Sequence, residues 1–178
     1  MYRPELLSVE EEAALLVELE RLDFEEIRMH GVVAKRTARH FGLDYDYERR
    51  VPVDTAEPLP AWLEPVRERA AALAGVAPEE LVETLVQRYP EGAQIGWHRD
   101  APQFGTVVGV SLLGASRMRF RRDAGGVRRQ FEVLLEPRSG YVLAGPVRTA
   151  WQHHVPPTKS LRYSVTFRTL RRRAAPAR

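Results

Sequence analysis

Hydrophobic positions along this chain change their period once. Leu15, Leu16, Leu19 and Leu22 recur at helical spacing, and Ser8-Val-Glu-Glu11 ahead of them forms a capping box. A second helix is expected from about Pro65 to Ala74, with proline in its first turn and Gly75 to stop it. Its apolar positions Val66, Ala70 and Leu73 form a face that can pack on a sheet. Between the helices, residues 30–50 are aromatic and basic without a clear period and read as irregular, and a Pro-rich link runs from Val51 to Pro60. From Leu81 onward the pattern becomes alternating. Strands are expected over 81–89, 94–98, 106–113, 116–121, 127–135, 139–144, 147–153 and 161–169, with Gly125-Gly126 as a hairpin turn. Short, closely spaced strands after two helices predict a mostly β, α+β protein: a sandwich or jelly roll supported by N-terminal helices.

Composition narrows the choice. At 178 residues one domain with one core is expected over 1–170, followed by a basic disordered tail over 171–178. No apolar run reaches membrane-spanning length and no targeting segment is read at the start, so a cytoplasmic monomer without a membrane partner is expected. With no cysteine in the chain, disulfides and thiolate metal sites are excluded, leaving His and carboxylates as the strong ligands. The net charge is only +3, but arginines cluster from Arg117 to Arg129 and at Arg171-Arg-Arg173. Such clusters fit a polyanionic partner such as nucleic acid, or a solvated strand face.

The candidate chemistry begins at His98-x-Asp100. Residues two apart on a strand point to the same side, so this pair can reach one metal ion. A third ligand must come from elsewhere. His30 and His40 precede the alternating region, whereas His153 and His154 end a strand candidate. Adjacent strand residues face opposite ways, so one of the latter two can join. Two histidines and one carboxylate form the facial set of a non-haem iron(II) oxygenase, and zinc also accepts such a site. On the last strand Arg162, Ser164, Thr166 and Arg168 share one face, while Leu161, Tyr163, Val165 and Phe167 face the core. The arginines either bind a dicarboxylate or lie solvated on an edge strand. Their Cα atoms stand about 20 Å apart on a straight strand, so a shared small dicarboxylate requires a bend and converging side chains. Gln87 and Tyr89 share a face just upstream of the metal pair. A serine hydrolase is excluded, because Ser111, Ser116 and Ser139 lie in ordinary strand or turn contexts.

These residues resemble the AlkB-like branch of the iron(II)- and 2-oxoglutarate-dependent dioxygenases. The likeness is carried by Gln87-x-Tyr89, His98-x-Asp100, Arg148-x-x-Trp151-x-His153-x-Val155-Pro and Arg162-Tyr-Ser-x-Thr-Phe-Arg168, and Phe41-Gly-x-x-Tyr45-x-Tyr47 extends it upstream. The resemblance implies a double-stranded β-helix in which His98, Asp100 and His153 hold iron(II), with no catalytic residue beyond these ligands. It implies that Arg162 pairs with the distal carboxylate of 2-oxoglutarate and Arg168 with the end nearer the metal, assisted by Gln87, Tyr89 and Ser164. His154 takes no ligand role. The implied reaction consumes 2-oxoglutarate and O2, yields succinate and CO2, and releases formaldehyde when the oxidised carbon is an N-methyl group.

The substrate implied by the resemblance is alkylated DNA or RNA. Residues 30–50 resemble the substrate-covering lid of the family, so Lys35, Arg36, Phe41, Tyr45 and Arg148 are the expected substrate contacts, with Arg117, Arg119 and Arg121 lining a nearby strand face. One departure stands out. Base-repairing relatives often carry an acidic residue shortly after the His-x-Asp, where this chain has Ala101-Pro102-Gln103. That leaves room for a hydroxylase or demethylase of a protein side chain or small metabolite on the same centre, and beyond that for a non-catalytic β-barrel module.

Overall fold

The computed structural model describes residues 1–29, 31–46, 51–53 and 57–171, with the backbone alone for residues 29, 44–46 and 51–53. The elements run β1 (Tyr2–Arg3), α1 (Val9–Glu20), β2 (Glu25–Met29), β3 (Val32–Gly42), β4 (Asp44–Asp46), β5 (Val51–Val53), α2 (Glu64–Ala74) and β6 (Leu81–Tyr89). They continue as β7 (Ile95–His98), β8 (Phe104–Leu112), β9 (Ser116–Ala124), β10 (Val127–Leu135), β11 (Gly140–Leu143), α3 (Gly145–Thr149), β12 (Gln152–Val155) and β13 (Arg162–Leu170).

Both expected helices form where their caps place them. Ser8 Oγ accepts from the Glu11 backbone N–H at 3.2 Å and Glu11 Oε2 accepts from the Ser8 N–H at 2.7 Å, closing the capping box. Gly75 ends α2 at φ +68°, a left-handed conformation that glycine takes without a Cβ penalty. Leu15, Leu19, Val66 and Ala70 pack against Val108, Val110, Val165 and Phe167 on the outer face of a large sheet.

That sheet has seven strands in the order β1-β11-β8-β13-β6-β3-β2, and a second has four, β10-β9-β12-β7. All of their pairings are antiparallel. Val107, Tyr141 and Leu143 of the larger sheet pack with Met118, Phe120, Leu135 and Val155 of the smaller one, so the two sheets lie face to face. Helices cover one side of the large sheet and the small sheet covers the other. This is the expected double-stranded β-helix with supporting helices.

Three local expectations change. Residues 147–153 do not form one strand: α3 covers Gly145–Thr149, and the strand begins at Gln152. Pro146 fits the first helical turn and cannot donate to a ladder, and the Ala150 N–H returns to the Pro146 carbonyl at 2.8 Å. The segment read as irregular contains the eleven-residue strand β3, held between β2 and β6. Its alternation is masked because its inward face carries Arg36 and His40 on either side of the small Ala38. Finally, β13 is no edge strand but lies between β8 and β6, and Arg162, Ser164, Thr166 and Arg168 are all buried. Of the expected tail only Arg171 lies within the described residues.

Candidate metal centre and adjoining chamber

Strand register brings the predicted ligands together. His153 on β12 pairs directly with His98 on β7, and their ring centroids stand 4.1 Å apart. Asp100 follows just past the end of β7. Its Oδ1 lies 3.5 Å from His98 Nε2 and 3.6 Å from His153 Nε2. One ligand atom from each of the three residues lies within 4.8 Å of the other two. The 3.5 and 3.6 Å gaps are ones that two atoms each about 2 Å from a common ion can span, so the donor set fits a divalent metal of the iron or zinc kind. His98 Nδ1 lies 2.8 Å from the Gly96 carbonyl. With the proton on Nδ1, that contact fixes the ring and leaves the Nε2 lone pair for a metal. His154 points away: its Nδ1 sits 2.8 Å from the Ile95 carbonyl and its ring packs 5.0 Å from Trp97.

Electrostatics keep the cluster in its ligating forms. Burial acts to raise the Asp100 carboxyl, but the charge of Arg168, its nearest cation, leads the influences that outweigh it. They hold Asp100 well below the usual carboxylate range. Burial and the neighbouring His98 push His153 down to about 4, against the opposing pull of Asp100, so it is neutral near pH 7. The side chains of His153 and Asp100 are 10% and 9% exposed and that of His98 is 31% exposed, so the centre opens over His98.

Beside these ligands, the inner face of the large sheet carries an unusual number of polar groups. Register places Arg162 opposite Tyr89, Ser164 opposite Gln87 and Ser111, and Arg168 opposite Glu83. Arg162 is 1% exposed; its Nε donates to Ser111 Oγ at 3.0 Å and its guanidinium lies 5.1 Å from the Tyr89 ring centroid. Among the described residues it has no carboxylate partner. A buried cation without an anion is costly, and this is the signature of a site for an anionic ligand. Tyr89 O–H donates to Gln87 Oε1 at 3.1 Å. Burial raises the Tyr89 phenol, as it does that of Tyr141, pushed up to about 12, so both remain protonated donors.

Arg168 behaves differently from Arg162. Its Nη1 donates to both oxygens of Glu83, at 2.7 and 2.9 Å, and its Nε lies 3.6 Å from Asp100 Oδ2. The two arginines therefore do not meet at one point, and Arg168 already holds a carboxylate of the chain itself. His40 Nδ1 reaches Glu83 Oε1 at 3.5 Å from β3.

The expected substrate contacts scatter. Phe41 is 2% exposed and belongs to the core beneath the helices, because it sits opposite Thr84 on the outer face of the sheet; it offers no ring to a ligand. Arg36 faces the other way, inside, where it is 8% exposed and donates to the Gln94 carbonyl at 3.4 Å rather than to a surface phosphate. Arg148 is also buried. Its Nη2 donates to the carbonyls of Ala101 and Phe104 at 2.6 and 2.9 Å, so it clamps the loop after Asp100 onto α3. Lys35 is exposed, and the side chain of Tyr45 lies outside the described residues. Arg117 and Arg119 are exposed on one face of β9 and share Glu132, while Arg121 bonds Gln152 and stacks 4.4 Å from the Trp97 ring centroid. A cleft of about 550 Å³ opens beside Asp100, lined by Arg99, Arg148, Arg171, Phe104 and Thr149 among others.

Sequence reasoning missed Glu83, Ser111 and Tyr141. Glu83 has the parity of Gln87 and Tyr89 on one strand, a signal present in the sequence. Tyr141 could not be found that way. It reaches the chamber because Gly109, its register partner, leaves room: a Cβ there would lie 2.1 Å from the Tyr141 ring.

Comparison with known proteins agrees with this architecture. The family model described as the 2OG-Fe(II) oxygenase superfamily matches residues 5–170. The chain is 28% identical over 180 residues to the alkylated DNA repair protein ALKBH8 homolog of Arabidopsis thaliana, a match covering 86% of this chain and 49% of that protein. The chain thus spans about half the length of this curated relative. The solved structure of OsALKBH1 superposes with a TM-score of 0.74 at 16% identity, covering 94% of this chain and 95% of that one. A Pseudomonas putida prolyl-4-hydroxylase superposes with a TM-score of 0.62 at 18% identity, covering 97% and 92%.

Proposed function

The chain belongs to the 2OG-Fe(II) oxygenase superfamily, and we propose that it oxidatively demethylates alkylated bases in DNA or RNA, using iron(II), 2-oxoglutarate and O2. The observation that carries the reading is the meeting of His98, Asp100 and His153 beside Arg162, a buried cation whose carboxylate partner is missing from the described residues. In this reading the three ligands hold iron. Arg162 receives the distal carboxylate of the cosubstrate, and Ser111, Tyr89 and Gln87 fix its orientation by hydrogen bonds. Iron with its cosubstrate and dioxygen supplies the oxidising power, giving succinate, CO2 and a hydroxylated substrate carbon. An N-hydroxymethyl group formed in this way then breaks its C–N bond, leaving the bare base nitrogen and formaldehyde. The protein's share is placement and exclusion of water. His153 and Asp100 wall one side of the centre, and the more exposed His98 marks the side from which a flipped base approaches.

The nucleic-acid part rests on charge and on kinship. Arg99, Arg148 and Arg171 line the cleft beside Asp100. Arg122 and Arg129 face each other across β9 and β10, both exposed. Like charges directly opposite are unfavourable without an anion between them. The name of the Arabidopsis relative, an alkylated DNA repair protein homolog, points the same way. The test is release of succinate and formaldehyde from N-methylated single-stranded DNA and RNA oligonucleotides. Absence of turnover across the common methyl lesions overturns the reading. A second reading, hydroxylation of a protein side chain or metabolite, is favoured by Ala101-Pro102-Gln103, which offers no acid to a cationic base. It predicts 2-oxoglutarate binding without salt-dependent affinity for oligonucleotides.

A further inference from the structure

Tyr141 is a buried phenol, 7% exposed, on a strand that carries none of the three metal ligands. A buried tyrosine usually finds a hydrogen-bond partner for its O–H. Tyr89 has one in Gln87 Oε1 at 3.1 Å. Among the described residues the Tyr141 hydroxyl has none. Its ring lies across its register partner Gly109, so closely that a Cβ there would overlap the ring and the hydroxyl alike. Gly109 and Ser111 stand two apart on the inner face of β8, about 7 Å along the strand. Ser111 Oγ is the group that holds Arg162 Nε, at 3.0 Å. An unpaired hydroxyl and a guanidinium without a carboxylate therefore face the same part of the chamber. Arg162 is also the charge that acts most strongly on the Tyr141 phenol.

A carboxylate at that point satisfies both groups. Its two oxygens offer about four acceptor sites, and a guanidinium fork uses one edge of them. Gripped on one edge and hydrogen-bonded on the other, it bridges donors roughly 7 Å apart. Packing alone does not call for the hydroxyl. Phenylalanine would fill the hollow over Gly109 as well and would bury no unpaired polar atom. Resting on the reading of Arg162 above, we propose that Tyr141 is a cosubstrate-binding residue: its hydroxyl donates a hydrogen bond to the distal carboxylate of 2-oxoglutarate that Arg162 grips. Tyr89 on β6 and Tyr141 on β11 stand on opposite sides of β13, so the carboxylate is held from both flanks. Gly109 belongs to the same device, since only a missing side chain on β8 lets the phenol reach across.

The test is calorimetric binding of 2-oxoglutarate to the full chain loaded with Mn(II) and kept free of oxygen, so that no turnover enters the readout. Oxalate is the second probe, because it can chelate the metal but has no distal carboxylate. Tyr141→Phe is expected to weaken 2-oxoglutarate binding about ten-fold and to leave Mn(II) and oxalate affinities within about two-fold of the wild type. Without ligands the variant is expected to melt no lower than the wild type, since the hydroxyl it loses has no partner in the fold. Unchanged 2-oxoglutarate affinity overturns the proposal. An equal loss for oxalate overturns it too, by showing a general distortion of the centre. A lower Tm of the ligand-free variant does the same, by showing that the hydroxyl serves the fold. Failure of the wild type itself to bind 2-oxoglutarate sinks the reading of Arg162, and the proposal with it, which keeps the two failures apart.

Discussion

His98 and His153 face each other as direct register partners across β7 and β12, ring against ring at 4.1 Å, although 55 residues separate them in the chain. Neighbouring strands hold this contact, so it persists without a loop having to close. Single substitutions at His98, Asp100 or His153 to Ala are therefore expected to lower metal affinity at least 100-fold while leaving the circular dichroism spectrum intact. His154→Ala loses its contacts to Ile95 and Trp97, at a cost of about 1 kcal/mol in stability, but keeps metal affinity. An equal loss in His154→Ala would move the centre elsewhere.

Arg162 sets function against stability. Arg162→Met removes a buried charge with no carboxylate partner among the described residues, so metal-free and cosubstrate-free protein is expected to melt no lower than the wild type. A ligand at 100 times its Kd stabilises by about 2.7 kcal/mol, which for a chain of this size is about 5–10 °C in Tm. The wild type should gain that shift with saturating 2-oxoglutarate, and Arg162→Met should gain none. A full shift in the variant would place the distal carboxylate elsewhere.

The low pKa of His153 fixes the direction of an acid effect. In the unfolded chain this ring takes a proton near 6.5, and in the folded protein only near 4. As pH falls through that window the unfolded state binds the extra proton, so stability is lost between about 6.5 and 4 and levels off below. The loss is at most about 3 kcal/mol. Asp100 contributes in the opposite part of the scale: its carboxyl is lowered, so its stabilisation is complete above the ordinary carboxylate pKa and fades only below it. Urea melts of metal-free protein at pH 7, 5.5 and 4.5 measure the slope, and His153→Phe should flatten it. An unchanged slope in that variant would assign the effect to other groups.

Gly109 tests the chamber wall. A methyl group there would collide with the Tyr141 ring at 2.1 Å. Gly109→Ala is expected to destabilise by about 1–3 kcal/mol and to weaken 2-oxoglutarate binding as the ring is displaced. Tyr141→Leu in the same chain should restore stability but not cosubstrate affinity. Restoration by Tyr141→Phe, which keeps the ring, would contradict the steric account.

Much of this was legible in the sequence because local chemistry set it. The capping box and Gly75 placed both helices, and the period-two alternation after Leu81 placed the strands. His98 and Asp100 could be paired from their spacing, although Asp100 lies just past the end of β7. What stayed hidden depends on neighbours far along the chain. β3 escaped notice because its inward side chains face a polar chamber instead of a core. Phe41 passed for a stacking residue because only its partner Thr84 shows which face it occupies. The distinct fates of Arg162 and Arg168 turned on Ser111 and Glu83, which reach them from other strands.

The position of β13 bears on how the protein comes to be made. This strand separates β6 from β8, yet it follows both, pairing Arg162 with Tyr89 and Tyr163 with Leu112. During synthesis β6 and β8 emerge first and have to wait with open edges until residues 162–170 arrive. Such non-local closure is slow and leaves strands open to wrong pairing meanwhile. Arg162, Ser164 and Arg168 arrive only with β13, so a ribosome stalled before Arg162 would hold a nascent chain prone to aggregation and without the polar groups beside the metal ligands.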